Sequence, residues 1–295
     1  MNVLPSHKQS EIVAALCEGV SIRATERLTG VHRDTIMRLG VRVGEGCARL
    51  HDAMMRDLQV PRIELDEIWA YVGRKQERVK PEDGANIGDQ YTFIALAGAA
   101  KAIVSYRTGK RTAYNTRAFV MDLRQRVLGA PEISSDAFQP YPVAVELAFG
   151  IDCDYGMIEK KYAVGDARGV EAARRYSPAQ VVAVQRHDVV GRPKHISTSY
   201  VERQNLSLRM GQKRFARLSN GFSKKLENHA AAVSLYVAHY NLCRVHEALR
   251  VTPAMQLGVT DHIWTVGELV DAALTGVTPE PDGRKVGPFR VIDGG

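Results

Sequence analysis

Residues 62–73 constrain this chain more than any other segment. They read Arg-Ile-Glu-Leu-Asp-Glu-Ile-Trp-Ala-Tyr-Val-Gly, rich in β-branched and aromatic side chains, and close on Gly73-Arg74-Lys75. That is the composition of a strand. Ile63, Leu65, Ile68, Trp69 and Val72 imply burial, yet Asp66 stands among them. A buried carboxylate without a partner is costly. Something cationic is expected to meet it, and a hydrated metal ion is one candidate.

Around this strand the hydrophobic period changes. Residues 8–18 place Ile12, Val13 and Leu16 on one helical face, and Gly19 supplies a stop. Ser21 is a good N-cap for a helix over 22–28, with Glu26 available to support its first turn, and Gly30 breaks it. A third helix over about 33–39 buries Ile36 and Leu39 and turns Arg33 and Arg38 outward, and residues 46–60 read as a continuing helix leading into Pro61. Two short helices around a Gly-containing turn resemble a helix-turn-helix; a plain three-helix bundle for oligomer contacts is the alternative. Beyond Pro61, strands are expected at 90–96, 102–107, 132–135 and 181–184, with helices at 115–128 and 142–149. Residues 74–89 read as a loop, and the region around 150–180 carries no assignable pattern. Helix is expected from Thr198 onward, most clearly over 224–249, then a short helix near 266–274 and a Pro/Gly-rich end that frays. Strands followed by alternating helix and strand predict a mixed α/β sheet with helices against it.

Net charge is +7 over 295 residues, and its location matters more than its size. Residues 186–250 hold 12 basic and 4 acidic side chains, whereas the rest of the chain is close to balanced. Such a patch suits a polyanion, because phosphate contacts release counterions. Cys17, Cys47, Cys153 and Cys243 stand far apart without metal-site spacing and read as reduced thiols. Apolar stretches are too short to cross a bilayer and no secretory signal is visible, so the expectation is a cytoplasmic protein with no membrane partner.

Two more acids depart from an ordinary pattern. Asp136 follows the short strand Ile133-Ser134-Ser135 at its carboxyl end, where sites of open α/β sheets collect. Glu202 lies one turn into the helix opening the basic block, with Asn205 and Arg209 on the same face. Two strand aspartates and a glutamate on a basic helix have the ligand types of a two-metal phosphoryl-transfer site. Glu227 and Asp188 stand as alternative third ligands if the helix register differs. His239 and His246 read as packing or phosphate contacts.

Glu64-Leu-Asp66-Glu-Ile-Trp-Ala, Ser134-Ser-Asp136 and Ser199-Tyr-Val-Glu202-Arg-Gln-Asn205-Leu-Ser-Leu-Arg209 resemble the three signature stretches of bacterial insertion-sequence DDE transposases, with the insertion-sequence-one family the nearest likeness. The later segment from Tyr240 through His246 to Pro253 is similar to the end of many such enzymes. The resemblance covers about residues 60–257. It implies a ribonuclease H-like mixed sheet with flanking helices, preceded by the all-α helix-turn-helix domain, with Asp66, Asp136 and Glu202 as catalytic ligands of Mg²⁺ or Mn²⁺. Members of this family often begin with a cysteine-rich zinc module; this chain has no such spacing and reads as starting directly at the helix-turn-helix.

The expected organisation is 1–58 helix-turn-helix, 59–250 catalytic domain and 251–295 C-terminal tail. The expected function is metal-dependent cleavage at insertion-sequence ends and strand transfer into target DNA, by a homo-oligomer on double-stranded DNA at the bacterial nucleoid. Arg33 and Arg38 would read element ends. Arg209 would hold a DNA phosphate beside the metals, Asn205 would contact DNA with it, and Lys213, Arg214, Arg217, Lys224 and Lys225 would track phosphates. Two alternatives stand: a nuclease of the same fold that joins no strands, and a DNA-binding regulator descended from a transposase.

Overall fold

The computed structural model describes residues 4–162, 181–216 and 220–278. Six strands form one mixed sheet: β2 (Arg62–Val72), β3 (Gly88–Ala97), β4 (Ala102–Gly109), β6 (Glu132–Asp136), β7 (Asp154–Tyr162) and β8 (Val181–Val190), in the order β4-β3-β2-β6-β7-β8. The first three run antiparallel in sequence, β6 and β7 join parallel to β2, and β8 returns antiparallel at the edge. Two short strands, β1 (Leu58–Gln59) and β5 (Val127–Leu128), pair apart from this sheet.

Alternation along β2 divides its side chains between two helical layers. Ile63 and Leu65 face α4 (Ala113–Arg124) and α5 (Pro140–Phe149), in a core with Phe93, Phe119, Val120 and Tyr141. Ile68 and Ala70 face α6 (Ser199–Gly211) and α7 (Leu226–Ala238), packing with Ile94, Val201, Leu208, Val233 and Val237. Both faces are thus covered, and the burial read into the β2 sequence is observed at Ile63, Leu65, Ile68 and Val72, whereas Trp69 is half-buried.

The N-terminal helices are α1 (Ser6–Cys17), α2 (Ile22–Thr29) and α3 (Arg33–Met54). Ser21 caps α2 by accepting from the Ala24 amide, and Gly30 ends it at φ 71°. Glu26 does not serve the first turn of α2; its carboxylate accepts the Arg33 amide at 2.9 Å and ties α3 to the turn. The helix expected from 33 and its continuation over 46–60 form one helix of 22 residues that its glycines do not break, but it ends at Met54, and Leu58–Gln59 is strand. Gly44 and Gly46 instead let it approach its neighbours. A Cβ on Gly44 would lie 2.2 Å from the Ala231 carbonyl oxygen of α7. One on Gly46 would lie 2.0 Å from that of Ala273 on α9 (Val266–Thr275). Ile12, Ile36, Val43 and Leu50 therefore share one core with Leu235, Leu242, Trp264 and Leu269, so residues from both chain ends pack together.

Two further differences concern the C-terminal half. The helix expected over 224–249 ends at Ala238 and continues as a π turn over His239–Cys243. The wider turn rolls Asn241 onto the sheet, where its amide exchanges two hydrogen bonds with the Ile103 backbone, and Tyr240 donates to the Lys101 carbonyl. Part of the unassigned region is β7, whose Gly156, Glu159, Lys160 and Lys161 hide any alternating apolar pattern. A short helix, α8 (Pro253–Gln256), follows the π turn. The fraying expected of the Pro/Gly-rich end falls on 279–295, outside the described residues.

Candidate metal centre at the end of two parallel strands

β6 pairs with β2 only as far as Leu65↔Ser135. The next residues, Asp66 on β2 and Asp136 on β6, stand where the smaller strand stops and leaves a gap beside the longer one. Carboxylate oxygens of Asp66, Glu67 and Asp136 all lie within 4.8 Å of one another there. Glu67 points to the opposite face from Asp66, and Tyr141, buried in the first turn of α5, donates its hydroxyl to Glu67 at 2.9 Å. Asp136 is fixed by accepting the Phe138 amide at 3.1 Å. The missing neighbour strand is what lets acids from both faces of β2 meet.

Helix α6 covers the other side. The Asn205 amide donates to Asp66 at 2.7 Å, while its Oδ1, buried, has no hydrogen-bond partner. Glu202 is not part of the tight cluster; it pairs with Lys160 of β7 and accepts from the Thr198 hydroxyl at 2.5 Å. It is near enough to Asp136 for their charges to repel. The helix is seated by Glu64, a buried carboxylate of β2 that accepts the Tyr200 and Val201 amides at 2.8 and 2.9 Å. Acceptors at a helix N-terminus satisfy its free N–H groups and complement its dipole. Glu64 is two residues from Asp66 on the same face, so one strand carries both the acid and the anchor of the helix above it.

The electrostatics are those of an anionic hollow. Burial, then Glu67 and Asp136, push the Asp66 carboxyl up to about 7. Burial and Asp136 raise Glu67 despite Arg111, and burial raises Asp136. Arg111 reaches in from the turn after β4, donating to Glu67 at 2.5 Å and standing 3.8 Å from Asp136. Hard divalent cations bind such oxygens, so the arrangement can hold one.

The remaining sequence-predicted residues are distributed as follows. Arg33 and Arg38 are exposed on α3. Arg209 lies in the last turn of α6. Lys213, Lys224 and Lys225 are exposed, the last 3.4 Å from Glu227. Arg214 turns inward instead, donating to Ser223 at 2.7 Å beside buried His229. Arg217 lies outside the described residues. Asp188 is on β8 opposite Gly156, and neither it nor Glu227 joins the cluster. Burial lowers the pKa of both His239 and His246, His246 having Lys101 and Arg244 nearby.

Sequence reasoning missed Glu67, Arg111, Tyr141 and Glu64. Strand alternation sets Glu67 on the face away from Asp66, and only the early end of β6 reunites them. Glu64 carried one signal: a second acid on the Asp66 face of a buried strand.

No protein-family model matches the chain, and no curated protein matches it. Among solved structures, the chain is similar to a piggyBac transposase synaptic complex with hairpin DNA, at 9% identity and TM-score 0.40, over 92% of this chain and 70% of that one. It is also similar to the Mos1 strand transfer complex, at 13% identity and TM-score 0.23, over 81% and 79% of the two chains.

Proposed function

We propose that this chain is a DDE transposase of the insertion-sequence type, cutting DNA at element ends and joining the freed 3′-hydroxyl to target DNA. The observation that carries this reading is the meeting of Asp66 and Asp136 at the stop of β6, under the helix bearing Glu202 and Asn205. The sheet order supports a ribonuclease H-like fold, three antiparallel strands followed by two parallel ones. The Gly30 turn and the exposed Arg33 and Arg38 support a helix-turn-helix reading of α2 and α3.

The donor set fits Mg²⁺ or Mn²⁺. It is all oxygen, its acids repel one another without a cation, and the Asn205 Oδ1 beside it has no partner. Asp66 and Asp136 would hold the metal together with Glu67, and Glu202 would reach it from α6. A divalent cation bound there supplies Lewis acidity to the phosphoryl group and acidifies a bound hydroxyl. Asn205 keeps Asp66 aimed into the hollow, and Glu64 keeps α6 over it. Lys213, Lys224 and Lys225 hold the DNA backbone without reading sequence. The protein works as a homo-oligomer on DNA, in the cytoplasm at the nucleoid. No helix among the described residues is long and apolar enough to cross a membrane.

The test is Mg²⁺-dependent nicking and joining of a labelled duplex carrying the flanking inverted repeats. Asp66→Asn and Asp136→Asn should bind this DNA as the parent does and lose both steps by several orders of magnitude. Cleavage without joining would make the chain a nuclease. Unimpaired cleavage by Asp66→Asn would end the proposal.

A further inference from the structure

Arg111 lies outside every segment that suggested the function, yet among the described residues its guanidinium forms ion pairs with two acids of the cluster. Its Nε donates to Glu67 at 2.5 Å, a second nitrogen reaches the same carboxylate, and Asp136 is 3.8 Å away. The guanidinium lies over the Phe138 ring, 3.9 Å from its centroid. Glu67 is almost wholly buried, whereas the Arg111 side chain is 37% exposed at the rim. It is therefore anchored by an aromatic platform, not by the acids alone, and can leave them without losing its seat. A second feature meets the same acids from α6: Asn205, buried, donates to Asp66 at 2.7 Å, and its Oδ1 has no hydrogen-bond partner, an acceptor that a metal-bound water could fill. A divalent cation bound there must compete with Arg111 for Glu67 and Asp136.

We propose that Arg111 is a charge-exchange residue of this site: without metal it neutralises Glu67 and Asp136, and once a divalent cation takes those carboxylates its guanidinium turns outward on Phe138 to hold a phosphate of the nucleic-acid substrate. This rests on the metal-centre reading above. A guanidinium suits both states, because its planar fork binds carboxylate and phosphate alike and stacks on an aromatic ring. It makes Arg111 a substrate contact that is armed by the metal, so DNA is gripped at the centre only when the centre is loaded.

Isothermal titration with Mn²⁺ alone, on the full chain without DNA, reads the first half. Arg111→Gln should bind Mn²⁺ about tenfold tighter than the parent, the scale of freeing two carboxylates from one rim-exposed guanidinium, with Arg111→Lys in between. Binding of a short duplex in Ca²⁺ and in EDTA reads the second half. Arg111→Gln should lose duplex affinity severalfold in Ca²⁺ and little in EDTA. Thermal unfolding establishes that each variant is folded, and Arg111→Lys keeps the charge should the Gln variant be unstable. Unchanged or weaker Mn²⁺ affinity in Arg111→Gln overturns the inference, as does an equal loss of duplex affinity in both buffers. Parent protein whose Mn²⁺ binding does not depend on Asp66 overturns the metal centre itself, and this inference with it.

Discussion

Glu64→Gln should loosen the helix over the site while leaving the cluster's own acids in place. In the parent the Glu64 carboxylate, buried at 6% exposure, accepts two amides of the first turn of α6, at 2.8 and 2.9 Å. Hydrogen bonds to a charged group contribute about 1.5–3 kcal/mol each. Favourable charge at a helix N-terminus adds about 0.3–1 kcal/mol. Against these stands burial of the carboxylate, which raises its pKa despite the two amides and Lys101. Both amides donate to the same carboxylate oxygen, so a glutamine oxygen can still accept them, but the negative charge that strengthens both bonds and faces Lys101 is gone. The expected net loss is about 1–3 kcal/mol, concentrated in α6. Urea unfolding should show the global change, and hydrogen exchange should show the Tyr200 and Val201 amides losing protection beyond it. Mn²⁺ affinity should fall as well, because α6 carries Asn205 and Glu202. A Glu64→Gln protein with parental stability and unchanged exchange at these two amides would refute the argument.

Other perturbations reach other parts of the account. Gly44→Ala drives a Cβ to 2.2 Å from a backbone oxygen of α7 and should cost about 1–3 kcal/mol or more in urea unfolding, where an exposed glycine would tolerate it. Burial, then nearby Arg126, lowers His51 to about 4, and burial, then Arg214, lowers His229 to about 3. Both are held neutral, so the stability they contribute is complete above pH of about 6.5 and is lost as pH falls toward 4; a melting temperature flat over that range would contradict it. Arg33→Ala with Arg38→Ala should weaken binding to element-end DNA more than to random duplex, and equal losses would remove a reading role. Lys213, Lys224 and Lys225 changed together to Gln should flatten the salt dependence of DNA binding by up to about one unit of slope per lost contact.

The elements that carry the candidate centre were legible because their signals are local. β2 announces itself by composition, Asp66 by its apolar neighbours, and Asp136 by its place after a short strand. Helix α6 is likewise marked by its own period. What was not legible depends on where strands stop and which segments meet. Glu67 joins the cluster because β6 ends one residue earlier, and Arg111 arrives from a turn 44 residues away in sequence. The role of the α3 glycines was hidden for a related reason: Gly40, Gly44 and Gly46 weaken a helix locally, and only the packing of α7 and α9 against Gly44 and Gly46 shows why glycine stands there. Arg214 looked like its basic neighbours, and only the fold turns it to Ser223.

The most direct test of the central claim is anomalous scattering from crystals of the protein soaked in Mn²⁺. A metal centre at these two strands gives a peak at coordination distance from both Asp66 and Asp136, absent from crystals of Asp66→Asn. A saturating soak with no peak between these two carboxylates, or a peak that survives Asp66→Asn unchanged, would contradict it.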